Sequence, residues 1–244
     1  MYLKEKIIKN PKAVIFDTDN TLYPYVPAHK EATKAVEEKV VNMLGIKKED
    51  FRSAFKDARS EIKKRLGDVA SSHSRLLYMQ TTIEKLELGT RILLTLDLEQ
   101  TYWRTFLNSC KLFPSALSFI LLLKSRGIVT ANITDLTAQI QFRKLVYFGL
   151  DELFNYVVTS EEAGKDKPNK QPFELALKKL NVDPQFVWMI GDDPNSDMAG
   201  ADSIGIQKIQ KRHEGVNIIK SGPKSPNLIF DHYDELIALI NHSK

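Results

Sequence analysis

One cysteine, Cys110, stands in 244 residues, so no disulfide can form within the chain. Such sparing use of cysteine suits a reducing compartment, and the cytoplasm is the expected location. No apolar run approaches the roughly 20 residues that a membrane helix needs. The most apolar stretch, Ala116 to Leu123, reads as a buried helix. The stretch Met1 to Lys12 is charged and has no apolar centre, so it does not read as a secretory signal. Basic residues are dispersed through helical stretches rather than gathered into a block, and the net charge is only +4. That balance accommodates an anionic small molecule and gives no reason to expect a nucleic-acid or membrane partner. Internal repeats are also lacking.

What is present suffices for a sizeable core: hydrophobic residues make up 43% of the chain. The length allows one large domain, or one domain carrying an insert. The pattern favours the second. Residues 13–16 read as a short buried strand, and Pro24 and Pro27 then break regular structure. Apolar positions at helical spacing follow over 28–44, 48–66, 72–88 and 91–110, with no strand pattern among them. From Phe113 the grammar changes. Helices alternate with strands at 128–133, 156–159, 186–190 and near 206–209, and a final helix spans 233–240. Alternation of this kind predicts an α/β fold, a Rossmann-like parallel sheet interrupted by an all-helical insert. The expected domains are 1–22 with 111–244, and 23–110.

The chemistry concentrates at strand ends. Ala13 to Tyr23 reads A-V-I-F-D-T-D-N-T-L-Y, placing Asp17 and Asp19 just past the first strand. In open α/β sheets that edge is where ligands bind. A carboxylate there can attack phosphorus to form an acyl phosphate, and a second acid two positions on can exchange a proton with the leaving group. Two such acids repel each other unless a cation lies between them, which implies a hard divalent ion.

Three later stretches supply the rest. In I-V-T-A-N-I-T-D, Thr134 stands at a strand end before a helix, where a hydroxyl and helix amides can hold a phosphate oxygen. Thr130 is its rival but falls within the strand. In S-E-E-A-G-K-D-K-P-N-K-Q-P-F, Lys165, Lys167 and Lys170 compete to balance the anionic charge. In V-W-M-I-G-D-D-P-N-S-D, a buried strand delivers Asp192 and Asp193 to a loop, and Asp197 follows; these are hard oxygen ligands of the kind Mg²⁺ requires.

Taken in order, D-T-D-N-T-L, Thr134, the K-P-x-x-x-P-F of Lys167 and the G-D-x-x-x-x-D of Gly191 to Asp197 resemble the four motifs of the haloacid dehalogenase-like (HAD) hydrolase superfamily. The helical block resembles the cap of its helical-cap phosphatase subgroup. The resemblance implies Asp17 as nucleophile, Asp19 as acid and base, and Thr134 and Lys167 as phosphoryl-binding groups. It also implies Mg²⁺ held by Asp17, by the Asp19 carbonyl and by Asp192, with Asp193 and Asp197 behind them. Because dehalogenases of the superfamily lack the D-x-D pair, Asp19 favours phosphoryl transfer over carbon–halogen cleavage. The expected activity is a Mg²⁺-dependent phosphatase acting on a small phosphate ester such as a nucleotide or sugar phosphate. A phosphomutase and a catalytically silent binding protein are the alternatives, and a monomer or homodimer is expected. Within the helical block, His73 and Arg75 at a helix start are the candidates for reading the substrate's leaving group.

Overall fold

The computed structural model describes residues 9–242; most of the charged stretch Met1 to Lys12 lies outside them. Among the described residues, those up to Pro24 and those from Lys111 onward form one compact unit, and Tyr25–Cys110 form a second.

The first unit is built on one sheet. Its strands are β1 (Ala13–Phe16), β2 (Val129–Thr134), β3 (Tyr156–Thr159), β4 (Val187–Gly191), β5 (Gln207–Lys211) and β6 (Leu228–Phe230). They lie in the order β3-β2-β1-β4-β5-β6, and every pairing is parallel. Both faces of such a sheet are covered, so β1 is apolar at all four positions rather than alternating, and all four are fully buried. Ala13 and Ile15 join Ala131, Ile133, Val187 and Met189 in a core closed by Phe173 and Ala176. On the other face Phe16 meets Phe119 and Phe154 edge to face. Phe119 comes from the helix Ala116–Ser125, the apolar run noted above.

From β1 the strand order grows one way through β2 and β3, then resumes on the other side of β1 with β4. That reversal is the topological switch point at which open α/β sheets bind ligands. It places the C-terminal ends of β1 and β4 side by side, with Phe16 opposite Ile190 in register.

The second unit holds four helices, α1 (Tyr25–Leu44), α2 (Lys48–Leu66), α3 (Arg75–Lys85) and α4 (Ile92–Asn108). No strand occurs in it. Its core is aromatic: Phe51 stacks on Phe55, and Tyr102, Trp103 and Phe106 pack together. The buried carboxylate of Glu37 is held by Arg52 through two bonds, of 2.5 and 3.0 Å.

Three boundaries differ from the expectation. The first helix begins at Tyr25, not at 28, and takes Pro27 into its first turn, where the absent N–H has no helical partner to lose. The helix expected over 72–88 starts at Arg75, capped by the Ser74 hydroxyl, after a separate turn at Ala70–His73. Finally, β6 falls in a stretch that reads as loop.

The candidate active site

β1 ends at Phe16, and the Asp17 amide still donates to Ile190 O at 2.8 Å. Asp17 is thus held by the sheet while its side chain leaves it. Thr21, four residues on, folds back and donates to Asp17 Oδ2 at 3.0 Å. The turn is secured from β2: Asn132 Nδ2 donates to Phe16 O at 2.9 Å, and Thr18 Oγ1 donates to Asn132 Oδ1 at 3.1 Å.

Lys167 lies at the centre. Its Nζ is 2.5 Å from Asp17 Oδ1 and 2.8 Å from Asp197 Oδ1, with Ile133 O at 3.3 Å. It is 7% exposed, whereas its rivals Lys165 and Lys170 face solvent. Asp135 explains how the loop is seated. Its Oδ1 accepts the Lys167 amide at 3.0 Å, which ties the end of β2 to the lysine loop. The acid following Thr134 therefore serves as an anchor. Thr134 itself is buried, the last residue of β2, two positions past the residue paired with Phe16. Thr130 is fixed within the strand by Leu153 O.

Asp197 stands on a five-residue π turn, Pro194–Met198, that follows β4. π turns of this kind are frequent at functional sites. Its second oxygen accepts the amides of Asp192 and Asp193, both at 3.1 Å. Asp197 is thereby fully engaged, orienting the lysine on one side and the loop on the other. Asp193 caps the same turn through Asn195 N. Gln210, on β5, fixes Asp192 from behind by donating to its carbonyl at 2.8 Å.

Burial dominates the electrostatics. It pushes the Asp17 carboxyl up to about 7, with Lys167 pulling it back and Asp197 and Asp19 adding to the rise. Burial likewise pushes Asp197 up to about 6 against the pull of Lys167. Burial alone would lower Lys167, but Asp17 and Asp197 outweigh it and hold the ammonium well above its usual range. One cation thus faces more than one buried carboxyl, which favours a second cation nearby.

The donor set fits a hard divalent ion. Asp17, Asp192 and Asp197 each offer an oxygen, and these lie within 4.8 Å of one another. Asp17 and Asp197 each accept hydrogen bonds at both carboxylate oxygens, and Asp192 faces His213 at 3.8 Å, so an ion here would share its ligands with the surrounding network.

Asp19 is held differently. Its carboxylate accepts from Lys144 Nζ, at 2.9 Å to Oδ1 and 3.3 Å to Oδ2, and from the Tyr23 hydroxyl. Sequence reasoning missed both partners. The cue was available for Lys144: it shares the buried face of the helix Ala138–Tyr147 with Ile140, Gln141 and Leu145, a charge on an apolar stripe.

His73 and Arg75 belong to the helical unit. Arg75 donates to His73 O at 2.6 Å and to the Tyr25 hydroxyl at 2.5 Å. Its guanidinium lies over Tyr78, Tyr102 and Trp103 at 5.4–5.6 Å. These contacts staple the aromatic core of that unit.

A buried carboxylate at a sheet's switch point, an ammonium bridging it to a second acid, and hard oxygen donors make this the candidate active site. Residues 11–205 match the haloacid dehalogenase-like hydrolase family. The chain is 35% identical to the ribulose-1,5-bisphosphate 5-phosphatase of Halopiger xanaduensis, over 81% of this chain and 83% of the relative. It is 32% identical to the glyceraldehyde 3-phosphate phosphatase of Methanothermobacter thermautotrophicus, over 81% and 84%. Among solved structures, a HAD phosphatase from Thermococcus onnurineus superposes with a TM-score of 0.71 at 24% identity, covering 93% of this chain and 97% of that one. A 2-haloacid dehalogenase from Pseudomonas syringae gives 0.72 at 21% identity, covering 96% and 100%; at these identities the likeness is one of fold. The chain belongs to the haloacid dehalogenase-like hydrolase family.

Proposed function

We propose that this hydrolase is a Mg²⁺-dependent phosphatase of small sugar phosphates, working through a phosphorylated Asp17. The observation that carries the reading is the placement of Lys167 Nζ between Asp17 and Asp197 beside Asp192. The D-x-D pair and the phosphatase names of both relatives support phosphoryl transfer over dehalogenation. The substrates in those names, a ketose bisphosphate and a triose phosphate, narrow the class to sugar phosphates.

In the first step an Asp17 oxygen attacks phosphorus, the bond from phosphorus to the ester oxygen breaks, and Asp19 gives that oxygen its proton. In the second, Asp19 takes a proton from water, the water oxygen attacks phosphorus, and the acyl-phosphate bond breaks to release inorganic phosphate and free Asp17. Lys167 and Thr134 hold the phosphoryl oxygens. Asp17, the Asp19 carbonyl and Asp192 would hold Mg²⁺, which when bound neutralises the charge that develops on the phosphoryl group.

The test is a panel of phosphorylated sugars, trioses and nucleotides assayed for phosphate release, with wild type and Asp17→Asn in parallel. Turnover is expected on sugar phosphates and is lost, by at least about a thousandfold, in a folded Asp17→Asn. Substantial activity in that variant, or turnover of no phosphate ester, would overturn the reading.

A further inference from the structure

The mechanism leaves the buried charge of Lys144 without a task. Lys144 is 1% exposed, in the middle of an apolar helix face. An ammonium carried there costs several kcal/mol unless a partner offsets it. Its Nζ meets both oxygens of Asp19 almost symmetrically, at 2.9 and 3.3 Å. Asp19 stands on a loop with a side chain 35% exposed. A carboxylate so open to water would sample several rotamers if nothing fixed it.

A second group converges on the same carboxylate. The chain turns at Asn20 (φ 63°) and returns Tyr23 to a bridge with Asp19. The Tyr23 hydroxyl then donates to Asp19 Oδ1. The ring itself is fully buried, stacked on Phe148 at 4.7 Å, so the hydroxyl has a fixed position. Lys144 Nζ lies 5.9 Å from the centre of that ring, which makes the three side chains one cluster. Asp17 is held by a separate pair, Thr21 and Lys167.

We propose that Lys144 and Tyr23 are positioning residues that clamp the Asp19 carboxylate in the orientation from which it exchanges protons with the leaving oxygen. The proposal rests on the phosphatase reading, in which Asp19 is the acid and base. General acid catalysis demands hydrogen-bond reach to the departing oxygen, so losing the orientation costs most where the leaving group needs a proton most. An alkyl phosphate releases a basic alkoxide and needs that proton. A nitrophenyl phosphate releases a stabilised phenolate and hardly does.

The experiment compares kcat/KM of wild type, Lys144→Met and Tyr23→Phe on an alkyl phosphate and on p-nitrophenyl phosphate, since kcat/KM reports formation of the phosphoenzyme. Lys144→Met keeps the apolar stem and leaves Asp19 partly solvated, so no buried charge is stranded; Tyr23→Phe keeps the stacked ring. Each variant is expected to lose on the order of a hundredfold on the alkyl ester and under about threefold on the aryl ester. Folding is checked by thermal unfolding, and Tyr23→Phe carries the test if Lys144→Met unfolds. Equal losses on the two esters, or no loss on either, would overturn the clamp while leaving the phosphatase reading intact. The alkyl phosphate is the best-turned-over sugar phosphate of the panel, and wild type inert on every phosphate ester tested would overturn that reading and the clamp with it.

Discussion

Lys167 Nζ lies 2.5 Å from Asp17 Oδ1, an ammonium and a carboxylate both almost sealed from water. Because Asp197 shares the same ammonium at 2.8 Å, removing the lysine strands two acids at once. Lys167→Met should lower kcat by about a hundredfold or more, as loss of a charge-stabilising group does. It should also lower stability by about 3–5 kcal/mol, as loss of one partner from a buried charge network does. Turnover and thermal unfolding on the same preparation check both numbers.

Gly191 ends β4 where a larger residue does not fit. A Cβ there would stand 2.4 Å from Asp197 Cγ. At Gly200 a Cβ would stand 2.1 Å from Phe173 Cε2, away from the charged residues. Gly191→Ala and Gly200→Ala should each cost about 1–3 kcal/mol in overpacking. Only Gly191→Ala should lose activity out of proportion to stability, at least about tenfold, because Asp197 must move and take Lys167 with it. Similar residual activity in the two variants would count against Asp197 as the residue that orients the lysine.

Mg²⁺ should be required and Ca²⁺ should replace it poorly. The proposed ligands, two carboxylates and a carbonyl, would leave room for the compact octahedral shell of Mg²⁺, whereas Ca²⁺ expands that shell. Exhaustive chelation followed by readdition of each ion reads this directly: activity should return with Mg²⁺ and recover by less than about a tenth with Ca²⁺.

The helical unit should weaken in mild acid. His29 is half-buried, 2.7 Å from the Tyr102 hydroxyl and stacked on Tyr25. Burial first, then the nearby Arg75 and Arg59, lower its imidazole from 6.5 to about 4. Between those values the unfolded chain binds a proton that the folded chain refuses. The stability is therefore complete above about 6.5 and is lost as pH falls towards 4. Allowing for solvent screening, the loss is on the order of 1–2 kcal/mol. His29→Gln should flatten the fall in unfolding temperature between those two pH values, and an unchanged slope would refute the assignment.

The apolar strand before Asp17, the lysine before Pro168 and the apolar strand before Gly191 each advertise themselves within a dozen residues. Local sequence therefore points to the candidate site at the C-terminal edge of the sheet. What it hides is pairing at a distance. Lys144 acquires its meaning from Asp19, 125 positions away, and nothing near either residue announces the other. Short elements are hidden for another reason. β6 is three residues, Leu228–Phe230, too few to establish a period, and its partner β5 supplies the order it lacks. At Tyr25 the misleading element was Pro27, which a helix tolerates in its first turn alone.

The position of β1 in the chain has a consequence for how the protein is made. This strand lies at the middle of the sheet, yet Asn132, which bonds Phe16 O from β2, is 116 residues further on. At roughly 5–20 residues per second, a ribosome takes on the order of ten seconds to produce that partner. Throughout that interval Ala-Val-Ile-Phe is an unpaired apolar segment on a nascent chain, while the helices of Tyr25–Cys110 are all synthesised before β2 and can form first. The sheet can close only after the insert has been synthesised, and the interval before it does is when this chain is most open to aggregation or to capture by a chaperone.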